Sequence, residues 1–112
     1  MKMSVVKEAL NAEVLCGADK LDEEVLSACG SDLMSDVLAF VKDQSVLLTG
    51  LVNPQTIRTA EMMDMKCVVF VRGKTPDSVV TDLAEERGIV IMTTVCRMYE
   101  ACGRLYAAGL NT

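Results

Sequence analysis

Short apolar runs alternate along this chain with longer segments spaced for helices. The runs are Glu13–Cys16, Val25–Cys29, Val46–Thr49, Cys67–Val71 and Ile89–Met92. At four or five residues, rich in Val and Ile and apolar on both faces, they suit strands of a sheet covered on both sides.

The intervening segments carry helix signals. Ser4 can cap Val5–Leu10, and Asp32 can cap a helix whose stripe is Leu33, Met34, Val37, Leu38 and Val41. Asn53-Pro54 places an N-cap before a first-turn proline, opening a helix through Ile57, Ala60 and Met63. Thr75-Pro76-Asp77 repeats the device, with Asp77 suited to the positive helix end, and the helix runs through Val79, Val80, Leu83 and Ala84 to a stop at Gly88. Thr94 can cap a last helix with Val95, Met98, Tyr99, Cys102, Leu105 and Tyr106 inward and Gly109 at its end.

From Val46 onward, strand-then-helix units recur at roughly twenty-two residues, long enough for right-handed crossovers. The predicted architecture is a three-layer α/β/α fold with a largely parallel sheet of about five short strands, and residues 1–112 form a single domain. The order of the first two strands stays open, with Val25–Cys29 a candidate antiparallel edge.

Composition then narrows the function classes. Half the residues are apolar and few are aromatic, so a core is available without disulfides or metal. The positive mean hydropathy on so short a chain favours an oligomer. A net charge of −5 argues against nucleic acid, which needs clustered Lys and Arg. No apolar run approaches the length that spans a bilayer, and Met1-Lys2-Met3-Ser4 does not begin a signal peptide. Five irregularly spaced cysteines read as reduced thiols of a cytoplasmic protein. The absence of His removes the usual general base and the commonest metal ligand.

The order and spacing of several segments resemble the DRTGG domain family. They are Val46-Leu47-Leu48-Thr49-Gly50, the Asn53–Met65 helix, Cys67-Val68-Val69-Phe70-Val71, and Leu83-Ala84-Glu85-Glu86-Arg87-Gly88-Ile89-Val90-Ile91. The leading stretch from Leu21-Asp22-Glu23-Glu24-Val25 through Ser31-Asp32 is also similar, so the likeness covers about Ala12 to Leu105. The eponymous residues differ. Leu51-Val52-Asn53-Pro54-Gln55-Thr56 stands where the family places Asp-Arg-Thr, and Val71-Arg72-Gly73 where Thr-Gly-Gly closes the next strand.

The resemblance implies a fold like the N-terminal domain of HPr kinase. It also implies an accessory role of the kind this family plays in some pyrophosphatases and acetyl-transfer enzymes, and beside iron-only hydrogenases. On that footing the expected function is a non-catalytic regulatory module without a cofactor. It would be homodimeric, with a small anionic metabolite or nucleotide as ligand and a redox-complex protein as partner. The rival is a structural docking subunit with no ligand, and a third reading is a thiol or iron–sulfur protein.

Ligands of parallel sheets gather beyond the carboxyl ends of the strands, where helix N-termini and backbone N–H groups favour anions. The candidate binding residues are therefore Thr49, Gly50, Asn53, Arg58, Arg72, Gly73, Lys74, Thr75, Thr93, Thr94 and Arg97, with the cations set against a reading as solvated charges pairing with Asp77 and Glu100. Gly73-Lys74-Thr75 is not a phosphate loop, because Val68 occupies the position of the first glycine. No two cysteines are spaced C-x-x-C, and only Cys96, expected in the first turn of a helix, suggests an activated thiol. Of the neighbouring Met62 and Met63, only one can point fully inward.

Overall fold

The computed structural model describes residues 1–42 and 44–112. Its elements in chain order are α1 (Met3–Ala9), β1 (Glu13–Cys16), a 3₁₀ turn (Ala18–Lys20), β2 (Ser27–Gly30), α2 (Met34–Phe40), β3 (Ser45–Thr49), α3 (Pro54–Met62), β4 (Cys67–Phe70), α4 (Ser78–Arg87), β5 (Val90–Thr93) and α5 (Met98–Ala107). The strands form one sheet in the order β1-β5-β4-β3-β2. The pairings β2–β3, β3–β4 and β4–β5 are parallel, with Val46 opposite Cys67 and Cys67 opposite Val90.

The antiparallel strand is β1, which pairs with β5, whereas β2 lies parallel at the opposite edge. This corrects the expectation for Val25–Cys29. The chain leaves β1 at Gly17, whose φ of +83° starts the turn, and a Cβ there would collide with Val90. It then runs to the far edge. Val25 is buried but lies outside the ladder, its N–H donating to the Met1 carbonyl at 2.8 Å.

Strand periodicity divides the core. Val46, Leu48, Cys67, Val69, Val90 and Met92 face Met3, Val6 and Leu10 near α1 and Ala101 and Leu105 of α5. Leu47, Val68, Phe70 and Ile91 face Met34 and Val37 of α2, Ile57 and Ala60 of α3, and Val80 and Ala84 of α4. The layering follows from connectivity. Strands β2 to β5 are laid down in one direction, so crossovers of one hand put α2, α3 and α4 on one face. The second face falls to α1 and α5. These layers are the three expected from the sequence.

Helix starts agree with the sequence at one place and depart from it at four. Asn53 accepts from the Thr56 N–H at 3.2 Å with Pro54 at the first helical position. At α4 the cap is Asp77, not Thr75, accepting from the Val80 N–H at 3.2 Å, and Gly88 closes the helix at φ +72°. Helix α1 starts after Lys2, because the N–H groups of Met3 and Ser4 find the carbonyls of Glu23 and Leu21. Helix α2 starts after Leu33, since Asp32 is drawn to β3.

Helix α5 begins after Arg97, because the Thr94 hydroxyl donates to the Leu10 carbonyl at 2.7 Å instead of capping. Its inward stripe is Ala101 and Leu105, with Met98 and Cys102 half-buried. Val95, Tyr99 and Tyr106 are 80, 92 and 66% exposed, contrary to the sequence expectation. The small Ala101 sets the close approach to the sheet and so the rotation of the helix. Met62 points outward and Met63 is half-buried.

The two helix caps give a direct check. Asn53→Ala and Asp77→Ala should each lower unfolding free energy by about 1 kcal/mol in urea titrations, whereas Ser4→Ala should leave it within about 0.5 kcal/mol.

Candidate functional site

The carboxyl ends of β3, β4 and β5 bring Thr49, Gly50, Arg72, Gly73, Lys74, Thr75, Thr93 and Thr94 to one edge, as the parallel register requires. The edge is divided into two parts. Because the parallel strands run in unbroken order, they lack the reversal that opens a crevice in doubly wound sheets.

The first part centres on Asp32, which sequence reasoning had assigned to a helix cap. Its Oδ1 accepts from the Gly50 N–H at 2.6 Å and from the Thr49 hydroxyl at 3.2 Å. Its Oδ2 lies 3.9 Å from the Arg72 guanidinium, both side chains being about half exposed. Thr49 also accepts from the Leu51 N–H at 3.1 Å, and the Lys74 ammonium donates to the Gly50 carbonyl at 2.9 Å. A Cβ on Gly50 would collide with the Arg72 guanidinium, so this residue must be glycine for the arginine to lie across it. An amide, a hydroxyl and a guanidinium thus meet on one carboxylate, with an ammonium alongside. Short charge-assisted hydrogen bonds of this kind are the strong ones, while the half-exposed ion pair adds up to about 1 kcal/mol.

The second part is a cavity of about 240 Å³ where β1 meets β5, bordered by Asn11, Glu13, Gly73, Thr75, Thr93 and Thr94. The Thr93 hydroxyl is taken by the Lys74 carbonyl at 2.6 Å, and Glu13 contributes an acidic wall.

The expected supply of free amides is smaller than the topology suggested. Arg72 and Gly73 donate to the carbonyls of Cys96 and Thr94, both at 2.8 Å, and Asn53 is committed to capping α3. Those bonds hold Arg72 and Gly73 in consecutive left-handed conformations, φ +62° and +69°. A left-handed arginine costs about 1–2 kcal/mol. Arg58 and Arg97 are exposed, and among the described residues neither side chain forms a hydrogen bond or ion pair. Asp77 and Glu100 are engaged otherwise, Asp77 as a cap and Glu100 with Arg104 at 2.8 Å. Asp32 was missed as a site residue because its partners lie on another strand, a contact no local pattern encodes.

The family model of the DRTGG domain matches residues 5–108. No curated protein matches the chain. Among solved structures, the chain is similar to the CBS and DRTGG domains of the regulatory region of Clostridium perfringens pyrophosphatase, complexed with its activator diadenosine tetraphosphate. That similarity has a TM-score of 0.73 at 13% identity and covers 93% of this chain. The chain spans 45% of the length of that structure's chain. Within the described residues, no helix is long and apolar enough to cross a membrane.

The cysteines are placed as small hydrophobes. Cys96 is buried and precedes the N-cap Arg97, so it lies outside the first turn of α5, where the sequence reading placed it. Cys67 is fully buried, and burial pushes its thiol far above the ordinary value, the neighbouring Cys16 adding to the effect. Burial also raises Cys16, Cys29 and Cys102. No group of three or more potential metal ligands comes together among the described residues.

A thiol whose folded pKa lies above its unfolded one stabilises the fold fully below the unfolded value, near pH 9.0, and that stability is lost as pH rises beyond it. The thermal midpoint should therefore fall between about pH 9 and 11. Cys67→Ala should flatten that fall while costing about 1 kcal/mol at neutral pH, as read by calorimetry across the pH range.

Proposed function

The chain belongs to the DRTGG domain family, and from that premise we propose that it is a non-catalytic regulatory module receiving a small phosphate-bearing anion at the carboxyl edge of its sheet. The observation that carries the reading is the convergence of the Gly50 amide, the Thr49 hydroxyl and the Arg72 guanidinium on a single carboxylate, with Lys74 beside them. Such a donor set suits a phosphoryl group as well as a carboxylate.

The backbone at Arg72 adds support. Its φ of +62° is one that glycine adopts without cost, and the family pattern places a glycine at this point of Thr-Gly-Gly. An arginine held there at a conformational cost is consistent with selection for its guanidinium. The complex of the pyrophosphatase regulatory region with diadenosine tetraphosphate supports a phosphate-bearing ligand class.

The remaining candidates take lesser parts. Gly73, Thr75, Thr93 and Thr94 would border the ligand from the cavity at β5, and Arg58 and Arg97 would add long-range attraction. The protein acts as a homodimer in this reading, which the exposed Leu26, Leu33, Phe40, Tyr99 and Tyr106 support. A redox-complex partner of the iron-only hydrogenase kind, and a cytoplasmic setting, rest on the family resemblance and the thiol-rich composition.

A docking subunit without ligand is the second reading. It is favoured by the N–H groups of Arg72 and Gly73, which are already spent on the loop before α5.

Arg72→Gly separates the two. With inorganic pyrophosphate or diadenosine tetraphosphate at a hundred times its dissociation constant, the wild-type midpoint should rise by several degrees, the equivalent of about 2.7 kcal/mol. The variant should keep or slightly exceed the ligand-free stability, because strain is relieved, yet lose most of the ligand-induced rise. A wild-type protein unmoved by either anion would leave docking as its function.

A further inference from the structure

The anion position described above is already filled by a group of the chain itself. Asp32 offers two oxygens, one to the Gly50 amide and Thr49 hydroxyl and the other toward Arg72, much as a phosphoryl group would. Accepting the anion reading of this edge, on which the inference rests, we propose that Asp32 is a built-in competitor that an incoming anion must displace, and that its displacement carries the signal to α2.

Competition follows from the donor count. Gly50 has one N–H, and Asp32 holds it at 2.6 Å, so a second anion cannot share it at that distance. A phosphoryl oxygen and the Asp32 carboxylate would also repel each other at contact. The resident carboxylate is nonetheless replaceable. Its side chain is half exposed, its pairing with Arg72 is long at 3.9 Å, and solvent is at hand to receive the displaced charge.

Transmission follows from where Asp32 lies in the chain. It sits between Ser31, whose N–H is tied to the Leu48 carbonyl at 3.0 Å, and Leu33, after which α2 begins. Among the described residues the Ser31 side chain bonds only locally, to the Leu33 backbone, so the Asp32 carboxylate is the side-chain tie from this segment to β3. Helix α2 is seven residues long and buries Met34 and Val37, while Leu33, Leu38 and Phe40 stay exposed. Releasing its leading segment changes the presentation of that apolar surface. Occupancy of the edge is thereby coupled to the face a partner would meet.

Pyrophosphate titrations of the wild-type protein and Asp32→Asn by calorimetry and amide NMR test this. Asp32→Asn should bind pyrophosphate about tenfold more tightly, the factor expected from removing one charged competitor. Equal or weaker binding by the variant, with wild type binding normally, would overturn the competition while leaving the anion reading intact. Absence of binding by both proteins would overturn the anion reading and the inference with it. Should Asp32→Asn fail to fold, the wild-type spectra decide. The amides of Gly50, Leu33 and Ser35 should shift along one saturation curve, and movement of Gly50 alone would overturn the coupling.

Discussion

Strand β4 governs this molecule, because all four of its residues are buried and each of its faces must be covered by a helical layer. A parallel strand cannot reach its neighbour by a hairpin, so each pairing around β4 requires a crossover helix. With β2, β3, β4 and β5 laid side by side in chain order, three helices accumulate on one face, leaving the other to α1 and α5. The same ordering closes the sheet against a ligand crevice. Polar chemistry is thereby confined to what the loops build above the strand ends.

Those loops are tied to one another across the edge. The β4–α4 loop donates backbone N–H groups to the loop before α5, donates a lysine to Gly50, and accepts the Thr93 hydroxyl. A segment bonded on both sides is held in its left-handed turn at Arg72 and Gly73, and the cost of that turn is offset by the bonds that impose it. On the anion reading proposed above, a ligand would enter such an edge by replacing a bonded group with another of like charge. Asp32 is the group of this kind with a surface-exposed path to leave by.

Much of the fold was legible because its pattern is local. Residues apolar on both strand faces announce a covered parallel sheet, Asn53-Pro54 announces α3, and Gly88 with its φ of +72° announces the end of α4. The misread features are decided by partners distant in sequence. Nothing near Glu13–Cys16 reveals that it pairs antiparallel with β5, nor does Thr94 reveal that its hydroxyl serves Leu10, 84 positions away. The rotation of α5 depends on how closely Ala101 seats on the sheet, so an apolar stripe of Val95, Tyr99 and Tyr106 reads as core in sequence while facing outward in space. The site divides in the same way. Strand ends and turn residues placed Thr49, Gly50, Arg72 and Lys74 on one edge, but Asp32 joins them only through the β2–β3 pairing.

Charge sets a last constraint on any ligand of that edge. A protein of net charge −5 repels anions at long range, yet in physiological salt that repulsion is screened beyond about 8 Å. Within that distance Arg72 and Lys74 dominate a ligand seated at Gly50, while Asp32 opposes it. The local balance is therefore close to one net positive charge with Asp32 in place, and under the proposed displacement it would be larger, so affinity would grow as the carboxylate departs. Two cations, rather than a cluster, match a ligand with one or two phosphoryl groups at the edge. On that reading steering would be limited to the exposed Arg58 and Arg97, so discrimination would reside mainly in short-range contacts made after encounter.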